Sequence, residues 1–410
     1  MTRTLHLWLR GQALGEVEQL RTGRLRLRYG TEILDTYGTG ARPLSLSLPL
    51  TDKRIQGDRL ERFLDNLLPE GSVRGALERE HRLPPGDTFG LLSHLGRECA
   101  GAVQLTTDAT PPGPGHLVAL SDDEVNRVVA QLPTLDPPPG QIVSASLGGV
   151  QSKVLLTRTD AGWAWPADGA MSTHIIKPEP TSDLVVPDLV RWEDWTLRLA
   201  RTAGLPAANA ELVDFDGRLA LVVERFDRQD GRRTHQEDLT QALGIASRDK
   251  YETTHTERRL ATVARAAAAE AVVPTSLVRE LLAQVTFNLL VGNGDAHSKN
   301  YSLAIDEAAT YAMAPLYDVA PVYLINKAFQ TFGHILDGQG RLPYLTAAHL
   351  RAEATTWGLT DAAACETIAA VACRVREALP ACPGVGIDVD QVGALVDARA
   401  TAALDCLPRE

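Results

Sequence analysis

The sequence predicts an α+β fold in two lobes, with a further α+β subdomain at the N-terminus and a mostly helical C-terminal lobe. Three observations carry this expectation. Segments with the period-two alternation of half-buried strands concentrate before residue 240. From Glu237 onward the apolar spacing is that of helices. Between helical stretches, the run Phe287, Leu289, Leu290, Val291 stops at Gly292-Asn293-Gly294 and gives way to a polar loop carrying Asp295 and Asn300.

Taken in order, Leu5, Trp8 and Leu9 lie in a first strand, with Gly11 in a turn. Residues 24–29 (RLRLRY) alternate as a strand does. Residues 42–50 (RPLSLSLPL) alternate too, and Pro49 places them at an edge or a strand end. Helical patterns follow at 58–68, 72–81 and 88–95, and the charged side chains of this part read as a solvated face. Two Pro-rich breaks, TPPGPG (110–115) and DPPPG (136–140), flank a helix at 121–132 with Ser121 as N-cap and Glu124 in capping-box position. The main boundary is expected between these breaks, giving segments 1–112, 113–240 and 241–410.

The middle segment reads as strand, glycine turn, strand: residues 142–146, then Leu147, Gly148, Gly149, Val150, then 151–157. Such a turn lets backbone N–H groups approach phosphate, and it is also an ordinary hairpin. Residues 173–177 (THIIK) form a strand ended by Pro178, which places Lys177 about 28 residues after the glycine pair. A mobile loop at 178–187 leads to a helix over 189–203, whose Glu193 either pairs with Lys177 or faces solvent. Residues 211–215 and 219–226 form a hairpin around Asp216 and Gly217. Residues 236–239 open the helical region as a hinge. Helices follow at 258–271 and 276–290, a strand at 301–305, and helices near 346–357, 361–378 and 389–404.

Composition is 44% hydrophobic and 23% charged, ordinary for a globular chain of two or more domains. A net charge of -11 argues against an extended nucleic-acid surface made by this chain alone. No apolar run is long enough to span a membrane, and the start is too polar for a secretory signal, so a cytoplasmic location is expected. Five cysteines without metal-ligand spacing read as reduced thiols.

The chemistry concentrates around residues 287–302 (FNLLVGNGDAHSKNYS) and APLYDV (314–319). An Asp can orient an attacking hydroxyl and accept its proton, and Asn300 and Asp318 offer hard oxygen ligands to magnesium. The order of glycine turn, Lys177, Glu193, Asp295-x-x-x-x-Asn300 and Asp318 is that of a two-lobed protein kinase.

Matches along nearly the whole length carry a more specific resemblance. They include RPLSLSLPL, FLDNLLPEG (63–71), HLGRECAGAV (94–103), SLGGVQSK (146–153), THIIKPEP (173–180), LVVERFDR (221–228), HQEDLTQALG (235–244), KYE (250–252), GNGDAHSKNYS and APLYDV. The chain resembles HipA-type serine/threonine kinases, the toxins of bacterial HipBA toxin–antitoxin modules. The resemblance implies ATP and Mg2+ as cofactors and Asp295 as the catalytic Asp. Asn300 and Asp318 would hold the metal, and Lys177 would contact the phosphates. Leu147, Gly148, Gly149, Val150, Gln151 and Ser152 would cover them. Glu237, Asp238 and Leu239 would line the adenine pocket through the backbone, and His297, Lys299, Asn300 and Tyr317 would complete the nucleotide site. It further implies autophosphorylation at Ser146, with Ser144 the alternative. A small DNA-binding HipB-like antitoxin, DNA contact mainly through it, and an aminoacyl-tRNA synthetase substrate, glutamyl-tRNA synthetase foremost, complete the implied set. Val319, Ala320 and Pro321 stand after Asp318 where other kinases carry Phe-Gly, so no such switch is assumed. Two other functions remain open at this level. One is a small-molecule phosphotransferase of the aminoglycoside or choline kinase type, although Asn293 stands where those enzymes carry histidine. The other is a catalytically silent co-repressor.

Overall fold

In the computed structural model, residues 3–132, 152–180 and 186–408 are described. Contacts divide the chain into two compact units: residues 1–178, 213–247 and 304–310, and residues 179–212, 248–303 and 311–410. Both are discontinuous in sequence, because the chain leaves each unit and returns to it.

The first unit opens with antiparallel strands β1 (Arg3–Leu9), β2 (Gln12–Gln19) and β3 (Leu25–Tyr29). With β4 (Ile55–Gln56) and β5 (Val103–Thr106) they make a five-stranded sheet in the order β4-β3-β2-β1-β5. Gly11, at φ 77°, makes the tight β1–β2 turn. Helices α1 (Thr31–Tyr37), α2 (Asp58–Asp65), α3 (Gly71–Glu80) and α4 (Thr88–Leu95) follow. On α2 the buried Leu60, Phe63 and Leu64 recur at helical spacing and close over the apolar core. Helix α5 (Asp122–Gln131) starts with the expected capping box of Ser121 and Glu124.

A second sheet contains β6 (His116–Ala119), β7 (Val154–Thr159), β8 (Gly162–Ala167) and β9 (His174–Pro178) of the same unit, with β10 (Ala210–Phe215), which enters that unit at Val213, and β11 (Arg218–Glu224). Its order is β10-β11-β9-β7-β8-β6. Leu5, Phe63, Leu92, Leu156, Ile176 and Val222 belong to one continuous core, so both sheets of this unit share it.

Residues 42–50 are not a strand. Pro43 and Pro49 remove two ladder donors, and residues 43–48 are buried on both parities rather than on alternate ones. The segment's polar groups bond elsewhere, mainly to residues 235–241. The charged residues of the N-terminal part are not all solvated either. Glu98 is fully buried, with its carboxylate between Arg225, Arg228 and Arg233, and Asp227 faces Arg225 and Arg228.

The second unit is mostly helical: α6 (Leu189–Thr202), then, beyond the short α7 (Leu239–Leu243) of the first unit, α8 (Arg259–Ala269), α9 (Pro274–Val291), α10 (Val322–Ile325), α11 (Ala347–Thr356), α12 (Asp361–Ala378) and α13 (Asp390–Asp405). Helix α12 packs on α6, α9, α11 and α13, with α9 the buried centre. Glu193 on α6 is buried, which removes the solvent-facing alternative. Of the expected mobile loop at 178–187, residues 181–185 lie outside the described residues. All five cysteines are unbridged. Among the described residues no helix is long and apolar enough to cross a membrane.

Candidate active site

The loop after α9 is built by the end of that helix. Proline at the first turn starts α9, and Gly292, at φ 68°, ends it in the left-handed conformation that glycine adopts without strain. The carbonyl of Leu289, near the end of the helix, also accepts from the Arg399 guanidinium of α13 at 2.8 Å. Asn293, fully buried, donates from Nδ2 to Asn288 Oδ1 at 2.8 Å and accepts from the Asp295 backbone N–H at 3.0 Å. This residue, which departs from the small-molecule kinase pattern, therefore sets the backbone of Asp295.

Asn300 is held just as firmly. Its Nδ2 donates to the carbonyl of Asp295 at 2.8 Å and to that of Asp318 at 3.5 Å. These bonds fix which way the amide points and turn Oδ1 away from both carbonyls. The Asp318 backbone sits at φ 56°, unusual for a residue with a side chain and typical of sites where geometry is held against strain. Its surroundings supply the constraint. Leu316 donates to the Pro206 carbonyl at 2.9 Å, Ala208 donates to the Leu316 carbonyl at 2.8 Å, and Gln284 of α9 reaches the Ala314 carbonyl at 2.6 Å. Tyr317 donates to the Lys299 carbonyl at 2.8 Å and its hydroxyl shares a hydrogen bond with Ser302, tying this segment to the Asp295 loop.

From the other side, Gly333 runs flat against the loop. A Cβ there would meet the Ala296 carbonyl oxygen at 2.1 Å. At Gly294 it would meet the Phe329 carbonyl oxygen at 2.4 Å.

The Asp295 side chain keeps 48% of its surface open. Burial of its surroundings, and then the charge of Asp318, push its carboxyl up to about 6, against the pull of the Tyr251 hydroxyl and the Lys250 ammonium. Solvent on the open side screens part of that shift. His297 is 5% exposed, and burial with the nearby Lys250 charge takes its imidazole down to about 3, so it is neutral at physiological pH. Its Nε2 lies 3.8 Å from Asp295 Oδ1, and its buried Nδ1 has no hydrogen-bond partner among the described residues.

The second unit thus brings together Asp295, His297, Lys299, Asn300, Tyr317 and Asp318. Lys299 is buried, and Tyr317 bonds within the loop. The remaining expected residues belong to the first unit. Lys177 is the penultimate residue of β9, buried, in register with Leu221 of β11. The Glu237 side chain is fully buried and turned to the segment at 42–50: Ser45 Oγ lies 2.5 Å from Oε2, and the Leu46 N–H donates to Oε1 at 2.9 Å. Asp238 caps α7 through a reciprocal pair with Gln241, which commits both its carboxylate and its own N–H. Leu239 is the first residue of that helix, and Ser152 precedes β7. Leu147, Gly148, Gly149, Val150 and Gln151, with Ser144 and Ser146, lie outside the described residues.

Tyr251 is a neighbour of Asp295 that residue type and spacing do not point to. Its hydroxyl donates to Asp295 Oδ1. The available signal was the KYE tripeptide, whose chemistry is invisible until the fold sets it beside residue 295.

Hard oxygens from Asn300 and Asp318, beside Asp295, suit magnesium. Among the described residues no group of three or more His, Cys, Asp or Glu is placed to hold a metal alone. That donor set fits an ion completed by phosphate oxygens and water, as magnesium on a nucleotide is. The orphaned Nδ1 of His297 is consistent with a polar ligand at this loop.

An α+β fold with an Asp base candidate, an oriented Asn and a second Asp is the arrangement that kinase chemistry uses. The family follows from comparison: the HipA-like C-terminal domain matches residues 145–379 and the HipA N-terminal domain matches residues 5–106, so the chain belongs to the HipA family. It is 37% identical over 331 residues, 77% of each chain, to a putative kinase of Sinorhizobium fredii. It is 30% identical over 356 residues, 82% of this chain and 80% of the other, to the serine/threonine-protein kinase toxin HipA of Shewanella oneidensis. A chain in the solved complex of Shewanella oneidensis HipA, HipB and operator DNA superposes with a TM-score of 0.79 at 28% identity, covering 98% of this chain and 96% of that one.

Proposed function

We propose that the protein is an ATP- and magnesium-dependent serine/threonine-protein kinase and the toxin of a type II toxin–antitoxin module. The observation that carries this reading is the Asp295 loop, whose backbone and Asn300 amide are fixed by part-buried hydrogen bonds, the amide also reaching the Asp318 carbonyl. Asp295 accepts a hydrogen bond from the substrate hydroxyl and takes its proton as the hydroxyl attacks. Asn300 and Asp318 hold magnesium, which when bound supplies charge neutralisation at the nucleotide phosphates. Lys177 contacts those phosphates, residues 147–152 cover them, and the backbone of residues 237–239 lines the base.

The substrate is an aminoacyl-tRNA synthetase, with glutamyl-tRNA synthetase the first to test, so that phosphorylation halts translation. The partner is a HipB-like antitoxin that carries the DNA contact. The -11 net charge of this chain suits a partner with a basic face. Autophosphorylation at Ser146, or at Ser144, places roughly two negative charges where the nucleotide phosphates must sit and shuts the enzyme off.

Peptide mass spectrometry after incubation with Mg-ATP tests this reading, with Asp295→Gln protein alongside. Phosphate on Ser146 or Ser144 in the wild type alone is the expected result. A chain that starts unmodified and stays so removes self-inactivation from the account.

A further inference from the structure

The Asp295 carboxylate has a dedicated partner outside its own loop. We propose that Tyr251 is a positioning residue for phosphoryl transfer, holding one carboxylate oxygen so that the other faces the acceptor hydroxyl. The inference rests on reading Asp295 as the base.

Asp295 is fixed at its N–H by Asn293 and at its carbonyl by Asn300. What those bonds leave free is rotation of the carboxylate, and a half-open carboxylate that rotates presents either oxygen, or neither, to the substrate. The Tyr251 hydroxyl removes that freedom by donating to Oδ1. His297 Nε2, at 3.8 Å from Oδ1, is too far to donate a hydrogen bond to this carboxylate.

The hydroxyl can act this way because its own placement is rigid. The Tyr251 ring meets His297 edge to face, with centroids 5.1 Å apart and planes at 89°. The residue before it, Lys250, accepts the Ser298 N–H at 3.1 Å, which ties the tripeptide to the Asp295 loop itself. The residue after it, Glu252, is buried. Its N–H donates to the Gly333 carbonyl at 2.9 Å, and its carboxylate accepts the N–H groups of Arg259 and Ile335. Tyr251 is therefore held on both sides by backbone bonds, one of them to the loop it serves. A hydroxyl serving packing alone has no reason to end on a carboxylate that stays half open. Orientation of the base to within a fraction of an ångström is what such a bond supplies to catalysis.

The test compares full-length wild type, Tyr251→Phe and Asp295→Gln by initial rates of ADP release from Mg-ATP, with a bacterial aminoacyl-tRNA synthetase mixture as phosphoryl acceptor, over a range of ATP concentrations. Phe keeps the ring against His297 and deletes only the hydroxyl. The expected result is a kcat lowered about 10- to 100-fold in Y251F, with the KM for ATP within about twofold of wild type. The melting temperature should be nearly unchanged, and D295Q should be inactive. Wild-type kcat in Y251F beside a dead D295Q would overturn the role of Tyr251 and leave the base intact. Loss of kcat that follows loss of folded protein in the melts would overturn it too, as would phosphate found on Tyr251, since the hydroxyl would then be an acceptor. An active D295Q would instead remove the base reading itself, whatever Y251F does.

Discussion

Glu237 and His235 lie two residues apart, both fully buried, and they titrate in opposite senses. Burial pushes the Glu237 carboxyl up to about 8, although Ser45 and the Leu46 N–H favour its charged form. Burial takes His235 down to about 4, while its Nε2 shares a 2.8 Å hydrogen bond with the Leu44 carbonyl. The signs follow from proton uptake. Folded Glu237 holds its proton where the unfolded chain, near 4.5, has lost it, so its contribution falls as pH rises toward 8. His235 refuses a proton that the unfolded chain takes up near 6.5, so its contribution falls as pH drops toward 4. Between about 4.5 and 6.5 the two slopes oppose, and from about 6.5 to 8 only the Glu237 loss remains. Glu237→Gln keeps a neutral side chain of the same shape. Thermal melts across pH 5–9 should show the alkaline loss disappear in this variant and the acid loss below about 6.5 emerge. A melting profile parallel to wild type would contradict a protonated Glu237. Glu237→Ala leaves the buried Leu46 N–H without its acceptor and should cost about 1–3 kcal/mol.

At the scale of elements, the catalytic-loop candidate is a rigid piece clamped between α9 and the backbone at residue 333. Gly333→Ala drives a Cβ into the Ala296 carbonyl, which belongs to backbone and cannot swing aside. The expected cost is about 1–3 kcal/mol, with activity lowered more than stability accounts for, because Ala296 adjoins Asp295. Gly338→Ala is the control: its φ of +80° strains an alanine by about 1–2 kcal/mol, but nothing lies within 4 Å, so activity should hold. Equal activity losses in the two variants would mean that the clamp has no special role.

The same scale shows what was legible in the sequence. Helices α2 through α5 and α11 through α13 could be read because their apolar spacing, caps and breakers agree. The strand expected at residues 42–50 failed because alternation of Leu with Ser mimics a pleat. Here Ser45 and Ser47 are buried polar anchors, Ser45 on Glu237 and Ser47 on the Gln241 carbonyl. Such long-range pairing leaves no local trace. Asp295, Asn300 and Asp318 stood out by residue type and spacing. Tyr251 did not, since its partner lies 44 residues away.

At the scale of the whole molecule, buried charge organises the first unit. Glu98 and Asp227, with Arg225, Arg228 and Arg233, join the end of the N-terminal part to the turn after β11. Composition gave no sign of this, because the same residues are also the ordinary material of a solvated face. The family itself was legible throughout, since its matching segments run from residue 42 to residue 319. On the function proposed above, this HipA-family chain stops growth by phosphoryl transfer through Asp295. That mechanism is tested most directly by inducing wild type and Asp295→Gln in bacterial cells without the antitoxin, following growth and the phosphoproteome together. Arrest is expected with the wild type alone, accompanied by new phosphoserine or phosphothreonine on an aminoacyl-tRNA synthetase. Full arrest by the Asp295→Gln protein would contradict that mechanism.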